Sequence, residues 1–169
     1  MTIHSSHPFA DPNPDPVRRF RGRLGGTVTL WTAGVGESRA GLTVSSVMIA
    51  NGEPAHVLGL VDADSDLLAR LIETGVWVVG LLEWTHRDLA EAFAGTAPAP
   101  GGVFRAAGFT DSTWGPVLDG VSGWLGVRLA TEPAEVGWSM LVDGTVEHLW
   151  LGEPGEPLVH RRGRYLPPR

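Results

Sequence analysis

Residues 41–50, GLTVSSVMIA, are apolar and β-branched enough to form a strand, yet they hold three hydroxyl groups between positions 43 and 46. A strand of this kind either has one wet face or lies against something polar. The flanking segments read as its partners. TVTLWTA (27–33) has strand character, and GVGESRAG (34–41) carries the glycines and polar residues of a hairpin loop. NGEP is a turn, and HVLGLVD (56–62) is a third strand.

Beyond residue 62 the period changes. SDLLARLIETG (65–75) reads as a helix with Ser65 as N-cap, Leu67, Leu68, Leu71 and Ile72 on one face, and Gly75 as its stop. VWVVGLLE (76–83) is a continuous apolar run, the mark of a strand buried on both faces. THRDLAEAFAG (85–95) opens on Thr85-x-x-Asp88, a variant capping box, and ends at a glycine. Residues 96–116 are rich in Gly and Pro and read as one long connection. Two further strands are expected at 121–131 and 138–152, the second broken near Asp143-Gly144. Six or seven strands joined mostly by turns, with too few helices for βαβ repeats, define a mainly β fold. It is expected to be a closed or nearly closed antiparallel barrel with a few short helices.

Composition narrows the function. The 169 residues suffice for one domain, expected over 17–169 behind a Pro- and Asp-rich tail at 1–16 that reads as mobile or surface-draped. The net charge of −6 argues against a general nucleic-acid partner. No apolar run is long enough to span a membrane, and no secretory leader is apparent. The absence of cysteine excludes thiolate chemistry and suits a reducing cytoplasm. All thirteen basic residues are Arg, four of them at 18–23 and four at 161–169. Such forks suit phosphates and carboxylates, but they also suit plain solvated termini. No dinucleotide-binding glycine fingerprint, P-loop, nucleophile elbow or metal-ligand spacing occurs.

The order of GLTVSS, a Pro-containing turn, a Ser at a helix start, LAEAFAG, PVLDGVSGWL and a final HRRGRY is similar to that of the flavin reductase-like family. The resemblance spans roughly residues 18–166 and implies an FMN-binding split barrel, a six-stranded antiparallel barrel that dimerises. It implies FMN (in some members FAD) as the cofactor and NADH or NADPH as hydride donor. The homodimer often serves a separate monooxygenase component. Carried over position by position, the resemblance sets Thr43, Val44, Ser45 and Ser46 along the flavin ring. It sets Ser65 at the flavin phosphate, and His160 and Tyr165 beside the flavin and nicotinamide. Hydride transfer needs two rings held face to face and no protein acid or base, so no catalytic residue is expected.

The sequence departs from the family pattern at several of these points. Leu67 stands where Thr is expected after Ser65, and Asp64 and Asp66 flank that serine. Val103-Phe104 replaces Lys-Phe or Arg-Phe, leaving Arg105 as a displaced substitute. Trp138 stands where a His is frequent, and Ile49 where a Ser is. Trp138 is open to three expectations: stacking on a ring, filling the pocket, or packing in the core. These losses leave a second reading, a flavin- or small-ligand-binding barrel without reductase turnover.

Overall fold

The structure, a computed structural model, describes residues 15–169. The tail expected at 1–16 therefore lies almost wholly outside the described residues. The chain runs through α1 (Pro16–Leu24), β1 (Gly26–Thr27), β2 (Thr29–Ala33), β3 (Ala40–Val44), β4 (Val47–Ala50) and β5 (His56–Asp62). It continues through α2 (Asp66–Thr74), β6 (Val76–Leu81), α3 (Arg87–Phe93), β7 (Phe109–Asp111), β8 (Pro116–Leu118) and β9 (Gly123–Leu129). It ends with β10 (Ala134–Val136), β11 (Ser139–Leu151), β12 (Val159–Arg161) and β13 (Arg164–Leu166).

The main sheet has the order β3-β2-β6-β9-β11-β5-β4, antiparallel throughout, with β10 folded back on β11. Its two outermost strands are consecutive in the chain. β3 pairs with β2, the chain turns at Ser45-Ser46, and β4 pairs with β5. One bent strand thus serves both edges and curls the sheet on itself. Counting β3–β4 once, the six strands of a split barrel are present. The bend is tied to β5 by the Leu60 amide, which donates to the Ser46 carbonyl at 3.0 Å. Thr29 ties it to β2, its hydroxyl donating to the Val44 carbonyl at 2.8 Å. Closure of this kind removes exposed sheet edges.

Alternation along the strands sorts side chains between two cores. Trp31, Val44, Val57, Val61, Trp77, Val127 and Val142 fill the barrel, capped by Leu67, Leu68 and Leu71 of α2. Leu30, Leu82, Leu89, Phe93, Leu118 and Leu158 pack on the other side around α3. Trp31 and Trp77 stack with ring centroids 5.5 Å apart. A Cβ at Gly144 would lie 2.3 Å from Cη2 of Trp77, and one at Gly59 would lie 2.5 Å from Cη2 of Trp31. The two indoles occupy space that any larger residue at these positions would deny.

Several expectations are corrected. β11 runs unbroken through Asp143-Gly144, and the irregularity falls at a bulge between Val146 and His148. The smooth strand expected at 42–50 is interrupted at Ser45-Ser46 by the bend. Ile72 is half exposed, so the buried face of α2 is narrower than its leucine spacing suggested. α3 starts at Arg87 behind a 3₁₀ turn, Trp84–His86, and no Thr85 capping box forms. Instead the Glu83 amide donates to Nδ1 of His86 at 3.0 Å, so an imidazole supplies the cap. The 96–116 connection carries β7 and the start of β8. Among the described residues no helix is long and apolar enough to cross a membrane.

Candidate functional site

The bend between β3 and β4 forms the floor of a cleft of about 340 Å³. Ser45 and Ser46 line it together with Arg18, Arg21, Gly22 and Leu24 of α1, Gly25, Gly26, His160 and Gly163. Thr43 already donates its hydroxyl to the Ala90 carbonyl of α3 at 2.7 Å, and Val44 is buried in the barrel core. Among the described residues neither the Ser45 nor the Ser46 hydroxyl makes a hydrogen bond inside the protein, and both border the cleft. A planar heteroaromatic guest with carbonyl and ring-nitrogen acceptors at its rim fits a floor of this chemistry.

The opposite wall is a hairpin. The register pairs His160 with Tyr165 and Arg161 with Arg164, leaving Arg162-Gly163 as a two-residue turn. Both turn residues have positive φ, 51° and 75°, as a type I′ turn requires, and Gly adopts that backbone without steric cost. The His-x-x-Gly-x-Tyr spacing is therefore a hairpin geometry: a cross-strand aromatic pair closed by a tight turn. The His160 and Tyr165 rings meet edge to face at 5.4 Å between centroids. Burial holds His160 below its ordinary value of 6.5; the nearby Arg21 charge lowers it further and Glu91 opposes both. Burial, with help from Glu91, pushes the Tyr165 phenol up to about 12. At neutral pH His160 presents a neutral imidazole to the cleft, able to donate one hydrogen bond, while the neutral Tyr165 phenol packs against the second core.

α1 supplies the third wall. Asp15 caps it, accepting from the Val17 amide at 2.9 Å, and Pro16 starts it. Its far end is pinned to the hairpin by the Arg162 amide, which donates to the Gly22 carbonyl at 2.9 Å. Arg18 and Arg21 lie one turn apart and both border the cleft. In the sequence this segment stands out only as an arginine cluster before the first strand. The Asp-Pro pair ahead of V-R-R-F-R is a recognisable helix start that could have found it.

Ser65 and Arg105, like Thr43, Val44 and Tyr165, are not among the residues that line this cleft. Ser65 caps α2: its Oγ accepts from the Leu68 amide at 3.2 Å and donates to the Asp62 carbonyl at 2.8 Å. Leu67 beside it is fully buried in the barrel core. Arg105 is exposed at the end of a 3₁₀ turn, while Val103 and Phe104 pack into the second core. Trp138 neither packs in a core nor fills the cleft. It stands 95% exposed at the tip of the β10–β11 hairpin, outside both cores and away from the cleft. Ser65→Ala is expected to cost about 1 kcal/mol of stability through loss of the cap and to leave ligand affinity in the cleft unchanged. Denaturant unfolding and ligand titration of the same variant check both halves.

Two histidines give the fold a pH dependence of known sign. Burial lowers His86 below 6.5 against the raising effect of Glu83, and it lowers His160 as described. In the window between the folded and ordinary values the unfolded chain binds more protons, so stability falls as the pH drops. The thermal midpoint is expected to be full above about pH 6.5 and to decline below it. His86→Gln combined with His160→Gln should flatten that part of the profile; an unchanged slope would contradict this origin.

A cleft with a polar floor at the strand bend of a split barrel, walled by arginines and a His–Tyr hairpin, suits a planar heteroaromatic ligand that carries an anionic group. Comparison with known proteins agrees. The chain belongs to the flavin reductase like domain family, whose model covers residues 21–168. It is 31% identical over 167 residues to the NADH-dependent FMN reductase AsuE2 of Streptomyces nodosus subsp. asukaensis, covering 96% of this chain and 89% of that one. The structure of the NADH:FAD oxidoreductase SgcE6 of Streptomyces globisporus, in complex with NAD and FAD fragments, superposes with a TM-score of 0.81. That match has 22% identity and covers 90% of this chain and 91% of that one. The styrene monooxygenase flavin reductase of Pseudomonas putida superposes with a TM-score of 0.78, at 20% identity over 90% of this chain and 96% of that one.

Proposed function

We propose that the protein is an NADH-dependent flavin reductase that binds FMN in the Ser45–Ser46 cleft. The observation that carries this reading is the convergence of two serine hydroxyls without a hydrogen bond among the described residues, the His160 imidazole and two guanidinium groups on one cleft at the barrel bend. The family and the similarity to an NADH-dependent FMN reductase support it.

When bound, flavin supplies the hydride-accepting ring. The chain's own work is positional. Ser45 and Ser46 offer hydroxyls to the polar rim of the ring. His160, kept neutral, donates from one ring nitrogen, and the Arg162-Gly163 turn sets the angle of the wall that carries it. No side chain is required to move a proton.

The same reading extends to assembly. An apolar hollow of about 410 Å³ lies between β4, β6, β9 and β11, lined by Val47, Ile49, Leu81, Leu125, Leu149 and Leu151. Ile49, Leu81, Leu149 and Leu151 are exposed there, an apolar face of the kind that subunit contacts cover. We assign this face to a homodimer, and the reduced flavin to a separate oxygenase component in the cytoplasm, where the NADH pool lies. The flavin reductase of a styrene monooxygenase shares the fold and supports the two-component arrangement.

The test is anaerobic. Purified protein with added FMN and NADH should bleach the flavin absorbance at a rate proportional to enzyme. Saturable FMN binding without that bleaching would leave a flavin-binding barrel that is not a reductase.

A further inference from the structure

We propose that Arg18 and Arg21 form a phosphate-binding rim for the nucleotide that occupies the cleft. This rests on the flavin reading above and goes beyond it by assigning the anionic end of the ligand to α1. Four observations converge. Both arginines border the cleft, one helical turn apart, on the wall that meets Ser45, Ser46 and His160. Among the described residues neither has a carboxylate within salt-bridge distance, although Arg39, Arg70, Arg87 and Arg128 each do. The Arg21 charge is near enough to lower the affinity of His160 for a proton. The start of α2 offers a phosphate little, because the Ser65 hydroxyl is used in both directions and its neighbour Leu67 is buried.

The physical case is that of a fork meeting an oxyanion. A guanidinium presents parallel N–H donors that match phosphate oxygens, and charge-assisted bonds of this kind are roughly twice as strong as neutral ones. In a chain of net charge −6, two guanidiniums on one cleft rim form a local positive field that draws an anion to this place. α1 is capped by Asp15 and tied to the hairpin at its far end by the Arg162–Gly22 contact, so the rim has a defined base. The phosphate comes either from the flavin's own ester or from the pyrophosphate of the nicotinamide dinucleotide. Both present the same oxygens, and they are separable by experiment.

The variant is Arg18→Gln combined with Arg21→Gln. α1 contributes no buried residue, so the variant should keep the wild-type fold, checked by its circular dichroism and thermal midpoint. Wild type and variant are titrated at low salt with FMN, riboflavin, NADH and inorganic pyrophosphate. If the flavin ester is the ligand, FMN binding weakens about 10- to 100-fold in the variant while riboflavin binding is unchanged. If the dinucleotide is the ligand, the ratio of FMN to riboflavin affinity stays as in wild type and NADH binding weakens by a similar factor. Unchanged affinity for FMN, NADH and pyrophosphate would overturn the assignment and leave the flavin reading intact. Failure of the wild type to bind either flavin would instead sink the flavin reading, and the NADH and pyrophosphate titrations would then decide the arginines on their own.

Discussion

Trp77→Ala is expected to lower the free energy of unfolding by about 3–5 kcal/mol, read from the denaturant midpoint. Trp77 is fully buried at the centre of the barrel and stacked on Trp31. Gly144 is shaped around it: with a Cβ 2.3 Å from the indole, no larger residue on β11 could move in to refill the space. The cavity would therefore stay open, and the cost includes both lost transfer energy and lost packing. Among the described residues the indole nitrogen of Trp77 has no hydrogen-bond partner, so the substitution strands no polar group there. Against a typical stability of about 5–15 kcal/mol this is a large fraction. Trp138→Ala is the control. At 95% exposure it should change stability by less than about 0.5 kcal/mol. Equal losses for the two would mean the barrel core is misplaced.

Ser45→Ala combined with Ser46→Ala should weaken FMN binding by about 10- to 100-fold, from about 0.7–1.4 kcal/mol for each hydrogen bond lost. The thermal midpoint should hardly move, because neither hydroxyl bonds within the described protein. Thr43→Ala is a different case: its hydroxyl ties β3 to the Ala90 carbonyl, so its loss acts on stability. The contrast separates residues that meet ligand from residues that merely share the same stretch of sequence. An FMN affinity unchanged in the double variant would place the ring elsewhere.

The hydroxyl-rich stretch at 41–50 was legible as special, and so was the strand character of its neighbours. Its bend was not. Period-two alternation reports which face is buried, but not that one strand pairs with β2 before Ser45 and with β5 after Ser46. That is decided by closure of the sheet, a long-range property. The His-x-x-Gly-x-Tyr spacing was read through resemblance alone, although its geometry is local and follows from a two-residue turn. The core placement of Trp138 fails because hydrophobicity argues for burial, whereas its place beside Gly137 in a two-residue connection puts it at a hairpin tip. The arginines of α1 were noticed as charge. Their place on the cleft was invisible, since it depends on the helix docking against a hairpin at the far end of the chain.

The central claim is that the cleft at the barrel bend receives a flavin. Titrating the purified protein into FMN and following quenching of flavin fluorescence tests it directly. A saturable change with a dissociation constant at or below the micromolar range (about −8 kcal/mol) is the expected result. Flavin fluorescence that stays unchanged up to protein concentrations of about a millimolar, weaker than about −4 kcal/mol, would contradict it.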